Sequence, residues 1–135
     1  MKTLKYLSAI TILIIIFYAC GSSSLKNKTT VKEEPVVIKN DSLEYEIIIF
    51  DVGFNNYLNT IAKPPGFHSQ FYLENKNRIY VVEWNTRVDN PINFDSNIYE
   101  NRIDYDLNIN YGYDVNYKLF NYFEFAQRKY RMTLR

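Results

Sequence analysis

Two aspartates set one residue apart, Asp104 and Asp106 in IDYDLN, are the first side chains in this sequence with the spacing for chemistry. In an extended segment they face the same way, and Asp95, Glu100 or Asp114 could join them. Paired carboxylates serve glycoside hydrolysis when they sit at a set distance in different environments. They serve calcium when several oxygens gather in a tight loop, usually with a glycine at the bend. No glycine lies between these two. His68 is the single histidine; a dyad with Asp51 or Asp104 is the one catalytic role open to it. Trp84, Asn85, Arg87 and Asn90 form a polar-aromatic cluster with two readings. In one, Asn and Arg tie down a following loop through buried hydrogen bonds, reaching Asp104 or Asp106. In the other, the cluster floors a groove for a peptide or glycan, with Tyr105 and Tyr111 as stacking faces. No glycine-rich phosphate loop, nucleophile elbow, zinc signature or dinucleotide fingerprint is present, and no cofactor or metal is implied.

The elements that must position these residues are legible in part. Leu43 to Asp51 begins as an alternation, with Leu43, Tyr45, Ile47 and Ile49 on one face and Glu44 and Glu46 on the other. Ile48 and Phe50 then join the second face, which predicts a strand buried on both sides in its second half. Val36-Val37-Ile38 is a weaker apolar run, and Lys39-Asn40-Asp41-Ser42 would turn the chain into a hairpin. Phe54, Tyr57, Leu58 and Ile61 mark one face of a short helix over about 53–62, with Asp51 as a cap and Pro64-Pro65-Gly66 as its stop. Residues 69–88 favour helix, capped by Ser69, with Tyr72, Ile79 and Val82 on one side and Leu73, Tyr80 and Trp84 adjacent. The run Ile79-Tyr80-Val81-Val82 argues locally for a short strand instead. Residues 89–113 hold no sustained period, although Tyr99, Tyr105, Tyr111 and Tyr117 recur every six residues. The clearest helix runs from Asp114 to Leu134 on a stripe of Val115, Leu119, Tyr122, Ala126, Tyr130 and Leu134. Asn116, Lys118, Asn121, Glu124 and Gln127 mostly lie off that stripe, and Arg128, Lys129 and Arg131 suit its C-terminal dipole. The expected fold is α+β, mostly helical: a strand or hairpin over about 36–51 packed on two or three helices (53–62, 69–88, 114–134), with a long Tyr/Asn-rich irregular segment at 89–113.

The amino terminus carries a different signal. Lys2 and Lys5 precede an uncharged stretch from Tyr6 to Ala19, which reads as the leader of an exported protein. At about 14 residues it falls short of the roughly 20 needed to cross a bilayer as a helix. Tyr18-Ala19-Cys20-Gly21, a small residue before cysteine, resembles the bacterial lipoprotein pattern. That resemblance implies removal of residues 1–19 and a lipid on Cys20, so that the chain is anchored to a membrane. Gly21 in place of aspartate, and no acidic residues in Gly21-Ser22-Ser23-Ser24, point to the outer membrane on its periplasmic side. Cys20 is the only cysteine, so a lipid there removes thiol and disulfide chemistry from the mature domain. Residues 20–35 read as a flexible tether and 36–135 as one small globular domain. Loss of Lys2 and Lys5 takes the formal charge from +1 to −1. With no long basic run left, nucleic acid is not an expected partner.

After Cys20 the chain holds 16 Asn and 11 Tyr. So many tyrosines imply a core whose edges reach water or an aromatic surface, because each ring wants burial and each hydroxyl a partner. The segments WNTRVDNP (84–91), IYENRIDYD (98–106) and NYGYDVNYKLFNYF (110–123), with YEIIIFDVGFNNYL (45–58) upstream, resemble a family of Bacteroidota lipoproteins, the domain of unknown function DUF6146. Leu107 and Asn110 stand where related members more often have Pro and Asp. The resemblance implies a lipoprotein anchor and a taxonomic setting, and no mechanism. The expectation is therefore a lipid-anchored envelope protein, a non-catalytic binding or structural module with a protein or cell-wall glycan partner. The alternative is a small envelope hydrolase using Asp104/Asp106, or His68 with a carboxylate.

Overall fold

A computed structural model describes residues 34–135. The expected leader, the lipid site at Cys20 and all but the end of the tether lie outside the described residues. The hairpin forms as expected. Strands β1 (Val36–Asn40) and β2 (Tyr45–Ile49) pair antiparallel, Val36 opposite Ile49 and Asn40 opposite Tyr45. A 3-10 turn at Asp41–Leu43 joins them, with the Asn40 side chain accepting from the Ser42 amide at 3.0 Å. The Asn40 amide then donates to the Tyr111 carbonyl at 2.9 Å and pins the hairpin to the chain 71 residues on.

Alternation decides which hairpin face is buried. Ile38 and Ile49 enter the core. Ile48 and Phe50 do not: they are 47% and 75% exposed, so β2 is not buried on both sides. Of the helices that follow, the last, over residues 112–129, packs on β1, and no element among the described residues covers the outer face.

Helix α1 (Phe54–Thr60) buries Phe54 and Tyr57. Its N-cap is Gly53 at φ +97°, a conformation that suits a residue without Cβ. Asp51 is therefore not the side-chain cap; its carboxylate holds Lys129 and Tyr130 instead. The helix stops one residue before Ile61, which leaves the buried face and is exposed.

Residues 70–88 form one unbroken helix, α2 (Gln70–Val88), with Ser69 Oγ accepting from the Tyr72 amide at 3.2 Å. Its buried face is Leu73, Asn77, Tyr80, Val81 and Trp84. The companion face of Tyr72, Ile79 and Val82 points to solvent. The run Ile79-Tyr80-Val81-Val82 stays helical because the 73/77/80/84 face packs on the last helix, and tertiary burial outweighs a propensity cost of about 0.5 kcal/mol per residue.

Helix α3 (Gly112–Lys129) is the hub, touching α1, α2 and β1. It is buried on more than the expected stripe: Asn116, Phe120, Asn121 and Phe125 are covered along with Val115, Leu119, Phe123 and Ala126. A helix wrapped by three neighbours must bury polar positions too. Asn121 answers this by donating to the Tyr117 carbonyl at 2.8 Å. The helix starts two residues before Asp114 and ends at Lys129 rather than 134. Arg131 takes φ +52°, and the Met132 amide returns to the Gln127 carbonyl at 3.1 Å, a Schellman-type stop. Leu134 is buried nonetheless, its amide held by Gln127 Oε1 at 2.9 Å.

Candidate functional site

The expected cluster on the last turns of α2 fastens the irregular segment to the helices, through different partners from those predicted. Trp84 Nε1 donates to the Asn101 carbonyl at 3.0 Å, and its ring meets Tyr99 edge-on at 5.0 Å. The Asn85 amide donates to the Ile103 carbonyl and accepts from the Ile103 amide, both at 2.8 Å. Arg87 reaches neither Asp104 nor Asp106. Its guanidinium binds Glu83 at 2.7 Å, the Tyr99 hydroxyl at 2.7 Å and the Thr133 carbonyl at 2.6 Å, so it clasps the C-terminus. Asn90 caps a local turn, its side chain accepting from Asn93. The next residue pair along, Asp89 and Arg102, forms an exposed ion pair.

The tyrosines expected as stacking faces of a groove are core residues. Trp84, Tyr99, Tyr105 and Tyr111 are all buried. Tyr105 and Tyr111 stack at 4.7 Å, and Tyr45 covers Tyr111 at 4.3 Å. The Tyr105 hydroxyl donates to Asn116 Oδ1 at 2.7 Å; the Tyr111 hydroxyl accepts from the Asp106 amide at 2.9 Å. Burial first, and Glu74 second, push the Tyr105 phenol up to about 12.

The carboxylates of Asp104 and Asp106 are exposed and do not converge on a cavity. Asp106 closes an Asx turn, accepting from the Asn108 amide at 2.8 Å, while Asp104 contributes its carbonyl to the Tyr45 hydroxyl at 2.7 Å. His68 stacks on Tyr72 at 4.4 Å and meets Phe67 and Phe120 edge-on. Among the described residues no three His, Asp or Glu side chains gather in a metal-binding group.

A half-open cleft of about 290 Å³ runs beside β2. Residues 47–51 form one margin and residues 97–103 another; Trp84, Leu119, Tyr122 and Tyr130 line it as well. The segment 97–103 is the stretch that Trp84 and Asn85 hold by its backbone, so those two residues position a wall of the cleft. At the cleft's end Asp51 accepts from Lys129 and, at 2.8 Å, from the Tyr130 hydroxyl. Burial first raises both the Tyr122 and Tyr130 phenols well above the ordinary tyrosine range, helped by the Asp51 charge at Tyr122 and by the Asp51 hydrogen bond and charge at Tyr130. Both phenols on this side of the cleft therefore stay neutral at ordinary pH.

β2 pairs only with β1 in a two-stranded sheet, and the edge it turns away from β1 has no backbone partner among the described residues. The one sequence cue was the loss of alternation at Ile47-Ile48-Ile49-Phe50, apolar at both parities. A second, shallower hollow of about 260 Å³ lies between Val81, Val82, Asn85 and the Arg102–Leu107 stretch, with no open strand beside it.

Comparison with curated proteins and with solved structures gives no match. The family model for DUF6146, a family of unknown function, matches residues 6–135. The quoted segments at 45–58, 84–91, 98–106 and 110–123 all fall inside that match, and the chain belongs to this family.

Proposed function

We propose that this protein is a lipid-anchored module of the bacterial cell envelope that binds its partner in the cleft beside β2. The observation that carries the binding half is an unpaired strand edge opening onto a hollow lined by Trp84, Leu119 and Tyr122. An edge of this kind is ordinarily covered or blocked in a monomeric protein, and here no strand among the described residues pairs with it. Support for the anchor comes from the sequence alone: the uncharged leader, the Ala19-Cys20-Gly21 junction and the absence of any other cysteine. The residues after Cys20 favour the periplasmic face of the outer membrane, and the quoted segments favour a Bacteroidota source.

A hydrolase would require Asp104 and Asp106, or His68 and a carboxylate, to meet in a pocket. The two aspartates are exposed and engaged in local turns, and the neighbours of His68 are aromatic rings. Binding is therefore the better-supported reading. The anchor is tested by mass spectrometry of the amino-terminal peptide recovered from membranes. A Cys20 terminus carrying acyl groups is expected; an unmodified Cys20 still joined to residues 1–19 contradicts it.

A further inference from the structure

The cleft's shape and charge say what kind of occupant it suits, an inference that rests on the cleft being the binding site. We propose that it takes an extended, lysine-bearing polypeptide segment, added to β2 as a third strand. Three observations meet here. The outer edge of β2 offers five residues of backbone, Tyr45–Ile49, with no proline, lysine or bulge to block pairing. Backbone groups on that edge have no partner among the described residues, and an extended chain is the ligand whose own amides and carbonyls match them.

Side-chain alternation then sorts the occupant. Residues of an added strand pointing inward would lie over Trp84, Leu119 and Tyr122, which calls for apolar side chains. Those pointing outward would stand beside Glu46, Ile48 and Phe50, the uncovered face of the hairpin. Glu100 stands on the wall. Asp51 and Arg102, also at the cleft, are neutralised by Lys129 and Asp89. Lys39, across the hairpin from Glu46, is paired with Asp41; Glu46, one residue before the cleft margin, and Glu100 belong to no ion pair among the described residues, so the open charge beside the edge is negative. Lysine on the outward parity answers both carboxylates, as opposite charges do across paired strands.

A second copy of this chain fits less well. Residues 97–103 stand beside the open edge, and a second copy would have to bring the same wall against the first. A single slender strand has no such obstacle.

Trp84 is the only tryptophan and lines the cleft, so its emission reports occupancy of the full-length chain held in non-ionic detergent. The probes are a short alternating Val-Lys peptide, the same peptide N-methylated at alternate amides, and a Val-Glu peptide. The Val-Lys peptide should change the Trp84 emission and slow amide exchange at residues 46–50. The Val-Glu peptide should bind about tenfold more weakly, and reversing Glu46→Lys and Glu100→Lys together should invert that preference. N-methylation should abolish binding. Equal binding of the N-methylated peptide, equal or tighter binding of Val-Glu, or no binding of any peptide overturns the proposal. If indole or a muropeptide perturbs Trp84 while no peptide does, strand addition fails and the binding site stands. If no probe perturbs it, both fall. Protection of the 46–50 edge amides in the free monomer, or protection rising with protein concentration, also overturns it, by assigning the edge to the chain's own residues or to a second copy.

Discussion

The side chain of Asn85 pairs with the backbone of Ile103 as another strand would, donating to its carbonyl and accepting from its amide at 2.8 Å each. A helix residue thereby anchors an otherwise irregular segment 18 positions later. Asn85→Ala leaves both Ile103 groups without a protein partner and should cost about 2 kcal/mol in denaturant titrations. It should also loosen the 97–103 wall, so the variant's Trp84 should be more accessible to a soluble quencher. Unchanged quenching would show that Asn85 does not position the wall.

A second polar anchor lies deeper. Asn77 Nδ2 donates to both the Asn116 carbonyl and Asn116 Oδ1 at 3.0 Å, and the Tyr105 hydroxyl donates to that same Oδ1 at 2.7 Å. Those acceptors fix the orientation of the Asn77 amide, whose Oδ1 has no partner among the described residues. Tyr105→Phe should cost only about 1 kcal/mol, since Asn77 still satisfies Asn116. Asn77→Asp should cost more than Asn77→Ala, because a buried carboxylate would then face two acceptors. Thermal melts of the three variants, at neutral pH, rank them.

Alkaline pH should unfold the domain in a defined window. Burial, then Glu124, pushes the Tyr80 phenol up to about 12, and Tyr105 rises to about 12 as well. An unfolded tyrosine titrates near 10, so the native state holds these protons more tightly than the unfolded chain does. Their contribution is complete below about pH 10 and is lost as pH rises from there through about 12. Phenolate absorbance should therefore grow together with the loss of helical circular dichroism. Full ionisation of tyrosine in a still-folded protein would contradict the burial of these rings.

Arg131 holds φ +52° at the end of α3, is exposed, and takes part in no salt bridge among the described residues. Arg131→Gly should stabilise by about 0.5–1 kcal/mol, the left-handed penalty less the extra entropy of an unfolded glycine. On a domain of this size that is a rise of a few degrees, about 2–6 °C, in Tm.

The sequence made the helices legible where a polar cap and a long period agreed, as at Ser69 before α2. The hairpin was legible from Lys39-Asn40-Asp41-Ser42 and the alternation of Leu43–Ile47. Faces were harder to assign. Ile48 and Phe50 looked buried because they are apolar, yet burial depends on a second layer, and the described residues supply none. Asn116 and Asn121 looked solvated because they are polar, yet α3 is enclosed by three neighbours. Trp84, Asn85 and Arg87 lie together on the last turns of α2, but the distant groups they hold include the backbone at Asn101, Ile103 and Thr133, which carries no side-chain signature. The cleft was invisible for the same reason: one of its margins is main chain.

The open edge of β2 is the central claim, and residue-resolved hydrogen exchange on the free full-length chain tests it most directly. Across residues 45–50 the amides facing β1 should be protected, while those facing the cleft should exchange at rates close to those of unstructured chain. That yields alternation along a single strand. Uniform protection of both sets in the free protein would contradict the account.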